Sequence, residues 1–315
     1  MEGELRRTAV ALSTMAVLFG GTWPAGKVAA EHVAPATAAT ARFAVACALL
    51  WLWARLSGRR VRRPGRAELP LVVGLGLSAV AGYNLFFLYG LRLAPATDGS
   101  ILVPGLIPIV TTLLAWPFHG VRPTRRVALG YAIAIAGLVL VVDPAGAVGT
   151  RRLEGDALLV GAAGCWATYT LLGRAATGRF DSVTANVYGT AAGAAMLLPL
   201  SFLGGGWGRL GRAPLQAWAA IAYLAVLGTV VAFVLFYEGV RLIGAARATA
   251  FTLLVPIFGV VASVLVLGER LRPTLALGGA IVLGGLYVVQ SRRVRPGPVE
   301  AAGSSPACHD AQSAA

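Results

Sequence analysis

The feature that most constrains this chain is a succession of apolar runs, each about as long as a bilayer is thick and nearly free of charge. A helix needs roughly 20 consecutive apolar residues to cross the hydrocarbon core. Such runs lie near residues 9–30, 36–56, 69–91, 97–118, 125–142, 156–174, 183–203, 216–239, 245–267 and 274–291. The run at 125–142 is short, and that at 97–118 is interrupted by prolines. Only 13% of the 315 residues are charged, against roughly 25% in soluble domains. A soluble fold so poor in charge could not cover its own surface, and one large core would not need so many long runs. The pattern predicts an all-α membrane protein with ten transmembrane helices.

The charges that remain are patterned. The formal charge is +14, with 27 basic residues against 13 acidic, and all but one of the basic residues are arginine. Nucleic-acid binding requires one contiguous basic face, whereas these arginines sit in short clusters between apolar runs. With the N-terminus inside, the cytoplasmic segments collect Arg6 and Arg7, the group from Arg55 to Arg66, the group from Arg122 to Arg126, then Arg174, Arg179, Arg241, Arg247 and Arg292 to Arg295. The opposite side holds fewer, among them Arg92, Arg151, Arg152, Arg270 and Arg272. This bias places both termini in the cytoplasm and requires an even number of spans. It is strong up to Arg126 and weak afterwards. The expected location is the plasma (cytoplasmic) membrane, as a multi-pass protein.

The first apolar stretch resembles a signal peptide, but it is longer than a signal core, and Lys27 precedes the small residues Ala29 and Ala30. It therefore reads as a retained helix. The Pro-, Ala- and Ser-rich end of the chain reads as a disordered tail.

The chain also repeats itself. FGGTWPAGK at 19–27 aligns with WATYTLLGR at 166–174. Gly90-Leu91-Arg92-Leu93 aligns with Gly239-Val240-Arg241-Leu242, Pro108 with Pro256, and Pro123-Thr124 with Pro273-Thr274. The offset is nearly constant over most of the chain. Five spans per half, an odd number, force the second half to enter the membrane in the opposite sense. Inverted-topology repeats characterise secondary transporters, because two similar halves facing opposite ways can exchange conformations about a central site. A duplicated packing unit without transport is the alternative. The predicted organisation is a cytoplasmic N-terminus at 1–8, a first five-helix repeat at 9–142, a linker at 143–155, a second five-helix repeat at 156–291 and a cytoplasmic tail at 292–315.

These residues carry a family likeness up to about residue 291. The chain resembles the EamA-type drug/metabolite transporters in the first-helix pattern Phe19, Gly20, Gly21, Thr22, Trp23 and Lys27, and in Arg42-Phe43 of the second helix. The likeness continues in the prolines of the fourth and ninth helices, Pro108 and Pro256, and in Gly268-Glu269-Arg270-Leu271 before the tenth. It departs at HGVRP (119–123), where Val121 stands in place of the acid, at Phe19 in place of a more usual Trp, and at the extra helix breaker Pro24. The resemblance implies ten helices, both termini inside, and export of amino acids or other small metabolites. It also implies a cavity surrounded by helices one, three, four, six, eight and nine.

Several residues are candidates for that chemistry. GTWPAGKV (21–28) approaches a phosphate-binding loop, but Val28 stands where Ser or Thr must hold magnesium, and no strand precedes it; ATP binding is excluded. Lys27 either snorkels from its helix end, with Glu31 as partner, or faces the cavity and attracts an anion. Arg42 needs a partner or water wherever it lies. Glu269, at a helix end, reads as a gate or structural carboxylate more readily than as a proton carrier, and Asp98 and Glu238 occupy similar positions. Pro108 and Pro256 each remove a backbone donor within a span. Symmetric breaks of this kind point to a transport site or to packing kinks. The polar and aromatic cavity candidates are Thr22, Trp23, Lys27, Arg42, Tyr83, Asn84, Ser100, Trp166, Tyr169, Asn186, Tyr188, Tyr237, Thr249 and Thr252, some of which serve instead as helix contacts or interface anchors.

The spacing of Cys47, Cys165 and Cys308, and of His32, His119 and His309, fits no metal site or disulfide framework. The spans contain no nucleophile–base pair, paired acids or His cluster, so an intramembrane enzyme is not expected. No cofactor is expected. The anticipated partners are the bilayer and a small-molecule metabolite. An uptake carrier is the closest alternative to an exporter, and a non-transporting scaffold is more remote because the loops are short.

Overall fold

The computed structural model describes residues 2–58, 61–119, 123–143, 149–176, 182–203 and 206–290. The expected tail at 292–315, Val121 and the arginines at 59, 60, 122 and 179 lie outside the described residues. Among those described the chain is helical and has no strand. Ten long rods and one short helix (Gly206–Gly211) account for it; the rods are α1 (Glu2–His32), α2 (Pro35–Leu56), α3 (Arg66–Leu93), α4 (Ala96–His119), α5 (Arg125–Val142), α6 (Thr150–Ala176), α7 (Ser182–Phe202), α8 (Leu215–Ile243), α9 (Arg247–Leu267) and α10 (Pro273–Gln290). Eight are long and apolar enough to cross a membrane; α6 and α7 are comparably long helices packed among them.

The prolines interrupt less than the sequence suggests. α4 runs continuously through Pro104, Pro108 and Pro117. Pro35 opens α2, where the missing N–H costs nothing. The ends differ more: α1 begins at Glu2, and α6 begins at Thr150, inside the segment expected as linker. In α6 the added turn carries Arg152, whose guanidinium is held by Asp98.

The packing is that of two related halves. Helix α1 packs on α8 and α9, and its counterpart α6 packs on α3 and α4. Helix α3 also packs on α7, and three large contacts join equivalent helices: α2 with α7, α4 with α9, and α5 with α10. Such pairs run antiparallel. Thr37 of α2 bonds to the Ser201 carbonyl near the end of α7, while Leu50 and Ala54 cluster with Val187 near its start. In α5 and α10, Gly130 meets Gly285 and Gly137 meets Gly278. There the backbones touch: a Cβ on Gly137 would lie 2.6 Å from the Gly278 carbonyl oxygen. Small residues allow this close approach where lipid gives apolar side chains no reason to leave it. The halves are therefore inverted relative to each other.

Candidate functional site

The two halves enclose a cavity of about 120 Å³. It is built around two irregular turns that no proline or glycine pattern marks in the sequence. Helix α3 widens into a π turn at Leu77–Gly82, and its counterpart α8 does so at Val226–Val231. A π turn leaves carbonyls without their usual amide partners, and such turns recur at functional sites. In α3 the Asn84 amide donates to the carbonyls of Ala79 (3.2 Å) and Val80 (2.9 Å). In α8 the Thr229 hydroxyl donates to the Leu224 carbonyl at 2.8 Å. Each polar side chain is thereby held with its oxygen available to a donor.

That donor is Arg42. Its Nη1 donates to Asn84 Oδ1 at 2.9 Å, and its Nη2 and Nε donate to Thr229 Oγ1 at 3.1 and 3.3 Å. The guanidinium thus bridges the π turn of one half to that of the other. Arg42 is 8% exposed, and its guanidinium lies 4.8 Å from the centre of the Phe43 ring.

Aromatic rings form one wall. Tyr83 lies 5.1 Å from Trp166, and Trp166 lies 5.3 Å from Tyr169. Tyr83 also stacks on Phe87 at 5.6 Å, and Phe87 meets Trp23 edge-on at 5.2 Å. The series therefore passes from the cavity into the packed region beyond it.

The cavity extends towards the end of the bundle where α2 finishes, with Leu50, Trp53, Asn186 and Val187 along its wall. A second recess at that end is lined by Trp51, Arg55, Arg62, Arg63 and Tyr188. The opposite end is packed shut. Trp23, Phe87, Leu91 and Ala94 are buried there. Lys27 Nζ donates to the Ala94 carbonyl at 2.9 Å and lies 3.5 Å from Glu31. Gly268 ends α9 in a left-handed conformation, φ +68°. The following Glu269 carboxylate then accepts from the amides of Ala96 (2.8 Å) and Thr97 (2.9 Å), capping α4 of the other half. Asp98, fully buried, accepts from Arg152 Nε and Arg272 Nη2, each at 2.7 Å. Both arginines also reach the Val141 carbonyl. All these ties except that of Lys27 join the two halves.

Of the residues singled out from sequence, Thr22, Arg42, Tyr83, Asn84, Trp166, Tyr169 and Asn186 line the cavity. Trp23 and Lys27 belong to the closed end. Ser100 is buried against Gly259 and bonds to the Thr97 carbonyl. Tyr188 lines the second recess. Thr249 and Thr252 are bonded to each other near the start of α9, and the side chain of Tyr237 lies outside the described residues. Glu238 pairs with Arg241 at the surface. Pro108 and Pro256 do not line the cavity. The Pro108 carbonyl is taken by Thr112 and Tyr131, and Pro256 opens the straight part of α9 after a 3-10 turn. The lining residues Phe19, Phe43, Leu50, Trp53, Thr190, Thr229 and Phe233 were not anticipated. Thr190 and Thr229 were detectable as polar residues in apolar runs; the others resemble lipid-facing or packing residues in sequence.

Comparison with known proteins agrees with this architecture. The EamA-like transporter family matches twice, over residues 6–143 and 153–291. The chain belongs to that family. A protein of Streptantibioticus cattleyicolor named as a probable terminal-alkyne amino-acid exporter is 29% identical, over 92% of this chain and 95% of its own length. The uncharacterized transporter YyaM of Bacillus subtilis is 25% identical over 88% and 91%. An uncharacterized transporter of Archaeoglobus fulgidus is 26% identical over 91% and 98%. A solved crystal structure superimposes with a TM-score of 0.62, covering 89% of this chain and 97% of its own at 21% identity, which establishes likeness of fold. Membership in the family makes this EamA protein a membrane transporter.

Proposed function

We propose that this EamA protein exports amino acids or other small metabolites by alternating access, as a secondary transporter of the plasma membrane. The observation that carries the reading is a cavity between inverted halves, closed at one end by contacts that the halves make with each other. Asp98 of the first half against Arg152 and Arg272 of the second, and Glu269 of the second against α4 of the first, form that closure. If the halves exchange conformations, the closed end opens and its counterpart shuts around the same central residues.

Charge supports an orientation in the membrane. The cavity extends towards the end that carries Arg55, Arg62 and Arg63. An excess of arginine marks the cytoplasmic face, which supports a cavity mouth, and both termini, on the cytoplasmic side. The exporter name of the Streptantibioticus relative supports outward transport from that mouth.

Counterflow in proteoliposomes tests the proposal. Vesicles loaded with an unlabelled metabolite should accumulate the labelled compound with saturable kinetics. Absence of saturable flux across a broad panel of amino acids and small organic acids would overturn it.

A further inference from the structure

We infer that Arg42 is the binding site for the carboxylate of the transported molecule, so that the substrate is a small organic anion with an apolar body. The inference rests on the transport reading for its physiological meaning, but concerns binding alone.

Charge is the first observation. Among the described residues Arg42 has hydrogen bonds only to neutral oxygens, those of Asn84 and Thr229. Among the described residues no aspartate or glutamate lines the cavity, and no cation besides Arg42 does. A guanidinium withdrawn from water and left without a counter-charge is expensive. Structural arginines in this protein are treated differently: Arg152 and Arg272 at the closed end both face Asp98. A buried cation with only neutral partners, set in the wall of a cavity, is arranged to receive its anion from outside the chain.

The donor count is the second observation. A guanidinium has five N–H groups in a rigid fork. The bonds to Asn84 and Thr229 occupy one each on Nη1, Nη2 and Nε. One N–H on Nη1 and one on Nη2 remain to donate to a ligand, and a carboxylate has two oxygens with which to accept them. Asn84 and Thr229 are themselves fixed by carbonyls of the two π turns. The fork is therefore held in place before anything binds, and the binding energy is not spent on ordering it.

The rest of the wall sets the body of the ligand. Tyr83, Trp166, Phe43 and Phe233 present apolar or aromatic surface, and among the described lining residues there is no carboxylate to pair an ammonium. A single guanidinium matches a single negative charge, which favours a monocarboxylate over a phosphate dianion. An amino acid fits only with its ammonium on an aromatic face, an interaction weaker than an ion pair.

Binding to the purified full-length protein can be read from the change in its tryptophan fluorescence, to which the lining residues Trp53 and Trp166 contribute, with phenylacetate and butyrate as probes and phenylacetamide and butyramide as neutral isosteres. The acids should bind about ten- to a hundredfold more tightly than the amides, the range for a hydrogen-bonded charge. Arg42→Gln should abolish that preference, and Arg42→Lys should retain part of it. Equal affinity of acid and amide in the wild-type protein would overturn the inference, even if Arg42→Gln fails to fold. So would an acid preference that survives in folded Arg42→Gln. Acid-selective binding without flux would contradict the transport reading and leave the anion site standing. Saturable flux of neutral compounds, with no selectivity for acids, would do the reverse.

Discussion

Replacing Asp98 by Asn should open the closed end of the bundle. The Asp98 side chain is fully buried and accepts two charge-assisted bonds of 2.7 Å, from Arg152 and Arg272. The amide keeps one acceptor oxygen, loses the charge, and turns its NH₂ towards a guanidinium. Breaking a buried ion pair from one side costs about 3–5 kcal/mol. The two arginine side chains retain 15% and 29% exposure, so water can take up part of their charge. The low end of that range, about 3 kcal/mol, is therefore appropriate. If the cluster forms in this conformation alone, the same energy shifts the balance between conformations by about a hundredfold, at 1.4 kcal/mol per factor of ten. The assay is labelling of Thr97→Cys by a membrane-impermeant maleimide, after Cys47, Cys165 and Cys308 are replaced by Ala. Thr97 is 2% exposed and sits beside the cluster. Labelling should be slow with Asp98 present and at least tenfold faster in Asp98→Asn, on the same conversion. An unchanged rate in a folded variant would refute the idea that this cluster holds the end shut.

Two further substitutions probe the frame. Gly285→Ala would place a Cβ 2.5 Å from the Gly130 carbonyl and 2.6 Å from the Ala134 amide, so overpacking should cost about 1–3 kcal/mol and lower the melting temperature in detergent. Glu269→Gln removes the charge that caps the Ala96 and Thr97 amides. Hydrogen exchange at those two amides should accelerate by about three- to thirtyfold, in line with an N-cap worth about 0.5–2 kcal/mol, while exchange in the middle of α4 stays unchanged.

Much of the frame is legible in the sequence because lipid imposes a length. A run such as 36–56 has no alternative to spanning, and α2 occupies Pro35–Leu56. The repeat marks which helices are equivalent, but not that α2, α4 and α5 pack on their equivalents while α1 and α6 pack elsewhere. The helix ends were less legible. Thr150 to Glu154 is too polar for hydrocarbon but continues α6 outside it, because Arg152 has a buried partner in Asp98. The site was half visible. Arg42 and Asn84 stand out as polar residues in apolar runs. The π turns at Leu77–Gly82 and Val226–Val231 contain no proline and have no period of their own. They form because Asn84 and Thr229 take the released carbonyls, which is a tertiary fact. The prolines were the more conspicuous breakers but lie away from the cavity, one with its carbonyl already satisfied by Thr112 and Tyr131. Phe43, Leu50 and Phe233 could not be told from lipid-facing residues, since an apolar side chain in a span carries no mark of which side it faces.

The central claim is that the two halves exchange conformations, so that one end closes as the other opens. Electron-spin distance measurements between Arg92 and Gln216 at the closed end, and between Arg66 and Leu242 at the open end, test it directly when spin labels replace those exposed residues. On passing from the unmodified Asp98 background to Asp98→Asn, the first distance should lengthen while the second shortens. A closed-end pair that separates while the open-end pair stays fixed would mean local fraying, and would contradict alternating access.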